Sequence, residues 1–119
     1  MEEPSSTSDE LTLVWSTWPD AGSARAAARA LVESRLAACI VLMPGLTSIY
    51  LWQGALEESA EVAMLIKTTA ARAEALKATL AAAHPYEVPA ILSWPAAAAP
   101  AYAAWAFAAT ADETPTAGP

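Results

Sequence analysis

A chain of 119 residues is one domain's worth of sequence, with enough apolar mass for one small core and little more. Its net charge of −7 belongs mostly to the ends: six of the thirteen acids (Glu2, Glu3, Asp9, Glu10, Asp112 and Glu113) are terminal, and the other seven nearly balance six Lys and Arg. The absence of a basic stripe argues against nucleic-acid binding, the lack of about 18 consecutive apolar residues against a membrane helix, and the single cysteine against an intrachain disulfide.

Residues 1–10 read as a disordered acidic arm. Its polar start differs from the basic and then apolar pattern of a secretory signal, so a cytoplasmic protein is expected. Leu11–Trp18 (LTLVWSTW) suits a first strand, and Pro19-Asp20-Ala21-Gly22 turns the chain. Ser23–Arg35 then reads as a helix, with Ala24, Ala28 and Leu31 toward a sheet and Arg25, Arg29 and Glu33 on an outward stripe. Ala38–Trp52 is a long apolar and β-branched run, interrupted by Pro44-Gly45 in a way that a strand tolerates at an edge or a bulge. Gln53-Gly54-Ala55 marks a turn, and Glu57–Thr68 returns as a third strand. Such a hairpin is expected to outreach the helices that cover it.

Thr69 stands where it could cap a helix over Ala70–Ala83, with Ala73, Leu76, Leu80 and Ala83 on one face, and His84-Pro85 ends it. Val88–Trp94 is expected as a fourth strand. Pro100 opens a last helix whose Tyr102, Trp105, Ala106 and Ala109 share an i, i+3, i+4, i+7 stripe. Residues 111–119 read as a flexible tail. The resulting order β-α-β-β-α-β over residues 11–110 predicts an α+β, ferredoxin-like domain with an extra C-terminal helix. Two helices cover one sheet face in that arrangement. The strands are too apolar for the other face to stay wet, so another subunit is expected there or on the hairpin.

Few residues offer chemistry. Cys39 reads first as a buried small hydrophobe and second as a soft metal ligand; with the only histidine, His84, it makes half a zinc site at best, which ligands from a symmetric neighbour could complete. His84 and Tyr86-Glu87 bring an imidazole, a phenol and a carboxylate to a strand entrance. The alternative is a histidine that merely ends a helix near its negative pole. Tyr50 and Trp52 share a strand face by the two-residue period and either pack on a subunit or line a cleft. Lys67 ends an apolar strand, solvated or holding an anionic ligand. A single histidine supports no Ser-His-Asp set, no phosphate-binding glycine loop is present, and no acid–base pair of carboxylates is evident. An enzyme and an organic cofactor are therefore not expected.

Several short pieces occur in a specific order: Leu36-Ala37-Ala38-Cys39, Pro44-Gly45, Thr47-Ser48-Ile49-Tyr50, Trp52-Gln53-Gly54, Glu61-Val62, Lys67-Thr68, His84-Pro85-Tyr86 with Val88-Pro89, and Tyr102 with Trp105. In this the chain resembles the CutA family of divalent-cation tolerance proteins over nearly the whole domain. The resemblance implies a ferredoxin-like homotrimer related in architecture to the PII signalling proteins. It also implies weak contact with copper or another divalent cation, with Cys39 and His84 as the corresponding residues. A PII-like module that takes a small molecule or protein partner in intersubunit clefts is the alternative. The chain departs from the family pattern at Ala90, where a glutamate is usual, at Ala55 in place of a frequent lysine, and at Ala103 in place of leucine.

Overall fold

The computed structural model describes residues 9–112. Four strands and three helices follow one another as β1 (Glu10–Trp18), α1 (Ala21–Glu33), β2 (Cys39–Trp52), β3 (Ala55–Thr68), α2 (Ala70–Ala83), β4 (Ile91–Ala97) and α3 (Pro100–Ala109). All pairings are antiparallel and the strand order is β2-β3-β1-β4, the ferredoxin-like arrangement expected from the element order. Strand β1 begins at Glu10, inside the stretch expected as an arm; residues 1–8 of that arm and 113–119 of the tail lie outside the described residues.

Helix α1 starts where Asp20 accepts a hydrogen bond from the Ser23 amide at 2.7 Å. It ends two residues before the expected Arg35, in a Schellman turn. The Leu36 amide donates to the Leu31 carbonyl at 3.0 Å and the Arg35 amide to Val32 at 3.0 Å. That turn holds Arg35 at φ 64°, a left-handed conformation usually left to glycine. Helix α2 begins after Thr69, whose side chain makes no capping bond, and buries Ala73, Leu76 and Leu80. Ala83, expected on the same face, is exposed, because the core it would meet ends one turn earlier.

Sheet and helices enclose one main core on one face: Val14 and Trp18 of β1, Val62, Met64 and Ile66 of β3, Leu31 of α1, and Leu76 and Leu80 of α2. The opposite face is largely open. Helix α3 covers only one end of it, where Ala106 packs on Leu11 and Ala38. Its buried stripe is Ala103 and Ala106, so the expected stripe through Tyr102 and Trp105 is corrected: small residues allow close approach, and both aromatics remain exposed. Two arginines satisfy the carbonyls at the end of α3. Arg35 Nη1 donates to Ala109 O at 3.3 Å and Arg72 Nε to Thr110 O at 2.8 Å.

The remaining differences concern strand ends. Strand β3 begins at Ala55, not Glu57, because the turn contains only Gln53 (φ 52°) and Gly54 (φ 84°), the positive pair of a type I′ hairpin. Strand β4 runs Ile91–Ala97 instead of Val88–Trp94 and passes through Pro95, which an edge strand permits. Strands β2 and β3 have 14 residues each, roughly 45 Å when extended. The outer half of the hairpin therefore projects beyond the helices. The radius of gyration, 16.5 Å, exceeds the roughly 13 Å of a compact chain of this size.

Candidate functional site

Pro44-Gly45 decides which residues reach the site. Met43 faces Ala63 and Leu46 faces Glu61, so β2 spends one more residue than β3 across this interval, with Gly45 at φ 83°. An added residue reverses the in–out alternation. Before the bulge, Cys39, Val41 and Met43 lie on the open face; after it, Leu46, Ser48, Tyr50 and Trp52 do. Without it, Tyr50 and Trp52 would point to the other side.

On that open face, a cleft of about 670 Å³ lies between the hairpin and the segment that joins α2 to β4. Its working side chains are Ser48, Tyr50, Trp52, Glu57, Glu61 and Tyr86, with Glu87, Val88 and Ala90 along the rim. Glu61 is its centre, only 7% exposed. Ser48 Oγ donates to Glu61 Oε1 at 2.6 Å, and Tyr86 Oη donates to Glu61 Oε2 at 2.7 Å. Each carboxylate oxygen thus has a charge-assisted bond that offsets its loss of water. Tyr50 Oη and Ser59 Oγ are 2.8 Å apart on neighbouring strands.

Burial, then the hydrogen bond to Glu61, raises the Tyr86 phenol above its ordinary value of 10.0. A proton held more tightly in the folded state means that the unfolded chain loses it first as pH rises. Tyr86 therefore contributes stability below pH 10 that fades above it. Tyr86→Phe should flatten that alkaline decline, measured by urea unfolding on either side of pH 10; equal slopes in both proteins would remove the role assigned to this hydrogen bond.

Of the residues singled out from the sequence, Tyr50, Trp52, Tyr86 and Glu87 meet at the cleft. Lys67 does not. Six residues along β3 from Glu61, it lies about 20 Å away, with Nζ 5.4 Å from the centre of the Tyr102 ring, which forms a cation–π contact. Cys39 is the cross-strand partner of Lys67 and is half-buried at that same far end. His84 lies under the cleft segment, its ring nitrogens bonded to the Thr17 carbonyl and the Tyr86 amide. Since Cys39 connects through Lys67 to Leu13, four residues from Thr17 on β1, Cys39 and His84 stand roughly 15 Å apart in one chain. The two do not meet within one chain.

Sequence reasoning missed Ser48 and Glu61 as site residues. The available signal was a glutamate opening the inward-reading run Glu61-Val62-Ala63-Met64, where a buried carboxylate needs partners. Ala90 lines the cleft near Tyr86 but far from Lys67, so a glutamate there would add a further carboxylate beside Glu57, Glu61 and Glu87.

Comparison with known proteins agrees with this architecture. The family model described as CutA1 divalent ion tolerance protein matches residues 12–109. A divalent-cation tolerance protein CutA of Thermus thermophilus is 48% identical over 89 residues, 75% of this chain and 84% of the relative. The crystal structure of CutA from Xylella fastidiosa superposes with a TM-score of 0.83 at 38% identity, covering 85% of this chain and 98% of that one. CutA1 from Oryza sativa gives a TM-score of 0.84 at 29% identity over 91% of this chain and 100% of its own. With its ferredoxin-like sheet and a match that spans almost every described element, this chain belongs to the CutA1 divalent ion tolerance family.

Proposed function

We propose that the chain acts in divalent-cation tolerance as a PII-like homotrimer in the cytoplasm, without catalysing a reaction. The observation that carries this reading is the apolar surface a single chain leaves uncovered. Val41, Leu65, Trp15 and Leu92 form one row across all four strands of the open face. On the other face of the projecting hairpin, Ile49, Leu51 and Leu56 are 63%, 72% and 70% exposed. A stable monomer rarely leaves apolar patches of this kind uncovered on both faces of a sheet. Cyclic association of three copies would cover them and protect the edges of β2 and β4.

In this reading copper or another divalent cation is held weakly. Cys39 and His84 do not fit a site inside one chain, and among the described residues no three His, Cys, Asp or Glu side chains group so that they could hold an ion. Contact is then made between copies, with Cys39 on the edge strand as the soft donor. Light scattering at micromolar concentration should give three times the chain mass of 12.3 kDa. Calorimetric titration of the assembled protein with Cu²⁺ and Zn²⁺ should show weak binding, reduced about tenfold or more for copper by Cys39→Ser. A one-chain mass would end the trimer reading; copper affinity indifferent to Cys39→Ser would end the thiol reading.

A second reading is favoured by the cleft: an intersubunit site for a small ligand or a protein segment. Its lining combines the aromatic rings of Tyr50, Trp52 and Tyr86 with the carboxylates of Glu57, Glu61 and Glu87, and among the described residues contains no basic side chain. A neutral or cationic ligand suits it better than an anion, the ligand class open to Lys67 at the far end of the sheet. Including ATP and an organic ammonium salt in the titration separates the two charge classes.

A further inference from the structure

We infer that His84 is a backbone clamp that positions Tyr86 over the cleft, and is not a cation ligand. The pairing of β1 with β4 stops at Ser16 opposite Ile91, which leaves Thr17 beyond the last rung of the ladder. The imidazole takes over there. His84 Nε2 lies 2.8 Å from the Thr17 carbonyl oxygen, and the Tyr86 amide lies 3.1 Å from Nδ1.

The partners dictate the protonation pattern. A carbonyl can only accept, so Nε2 carries the proton; a backbone N–H can only donate, so Nδ1 offers its lone pair. Both ring nitrogens are thereby committed to the main chain. A metal ion at Nδ1 would strand the Tyr86 N–H, and one at Nε2 would require loss of its proton and of the bond to Thr17. The ring is also inaccessible: it is 8% exposed, 4.1 Å between centroids from Trp18 and 4.9 Å from Tyr86, and it does not line the cleft. What the ring does reach is the backbone of Tyr86, and Tyr86 Oη is bonded to Glu61. Fixing that amide two residues along aims the phenol at the carboxylate. His84 is thus a positioning residue that acts through Tyr86.

The chain has one histidine, so an ¹⁵N-labelled imidazole gives an unambiguous spectrum of the intact protein. Long-range ¹H–¹⁵N correlations should show the Nε2–H tautomer, and excess Zn²⁺, which is diamagnetic, should leave both ring nitrogens in place. The Nδ1–H tautomer, or a coordination shift on adding Zn²⁺, would overturn the assignment. A second arm tests the positioning. In His84→Ala, the Tyr86 amide should exchange with solvent about tenfold faster or more. His84→Asn, with an amide oxygen near the place of Nδ1, should restore part of that protection. Zn²⁺ affinity should be unaltered in both variants. Equal Tyr86 exchange in wild type and a folded His84→Ala, or a loss of Zn²⁺ affinity, would refute the clamp. If His84→Ala does not fold, the wild-type spectrum still decides. Should Zn²⁺ give no heat at all, the cation reading fails while the tautomer still tests the clamp.

Discussion

Replacing Leu51 by Glu and Leu56 by Lys together should turn the proposed assembly of three chains into single chains without unfolding them. The two leucines face each other across the hairpin near its tip, and both are mostly exposed in the isolated chain. Neither touches the main core, so the fold loses almost nothing. The new pair is of opposite charge and directly opposed, which supports the hairpin that presents it. Covering two leucines at an interface is worth about 3–6 kcal/mol per chain, more than a hundredfold in association. Sedimentation should therefore find a mass near that of one chain where the proposed wild-type assembly has three, with the far-ultraviolet circular dichroism retained. An unchanged trimer mass would show that the arm tip lies outside the interface and would leave only the open sheet face to account for assembly.

Glu61→Ala should produce the largest change within a single chain. It leaves the hydroxyls of Ser48 and Tyr86 without their acceptor and removes the contact that holds the 84–90 segment on the hairpin base. Hydrogen bonds to a charged group contribute about 1.5–3 kcal/mol each, and water reaching the cleft recovers part of that, so a loss of about 2–4 kcal/mol is expected in urea unfolding. Glu61→Gln keeps an acceptor oxygen and should lose about half as much. The coupling can be isolated by a cycle with Tyr86→Phe. If the two losses simply add, the Tyr86–Glu61 bond contributes nothing in solution, and other contacts hold the 84–90 segment against the hairpin.

The fold was legible wherever periodicity and punctuation agreed. Ala24, Ala28 and Leu31 were placed inward by the helical period and are buried, and Pro44-Gly45 announced the bulge that the strand pairing contains. The last helix was legible only in part. Its stripe joined Tyr102 and Trp105 to Ala106 and Ala109; the two alanines do pack with Leu11 and Ala38, whereas both aromatics stay exposed and Ala103 is buried instead. Strand β4 was displaced by about three residues because Pro95 reads as a terminator, and only the edge position shows why it is not.

At the site, the two-residue period joined Tyr50 with Trp52, and the sequence neighbours Tyr86 and Glu87 came with them. Long-range pairing was not readable. Nothing local in the sequence says that Glu61 meets Tyr86 across 25 positions, or that Lys67 and Cys39 share the opposite end of the sheet from the cleft. The histidine was correctly placed beside Tyr86, but its bond to Thr17, 67 residues earlier, could only come from the fold.

The bulge at Pro44-Gly45 makes β2 a strand with two phases. Its inner half keeps time with the helices and its outer half with the cleft, and one residue separates the two rhythms. The outer half is therefore quantised in length. Lengthening the arm by one residue on each strand beyond Tyr50 and Glu57 would swap which residues face front and back near the tip, and two on each strand would return them to register. Variation in arm reach is thus confined to steps of four residues in total, about 7 Å of projection each. Within that rule the arm can be tuned to a neighbour without any change at Ser48, Glu61 or Tyr86.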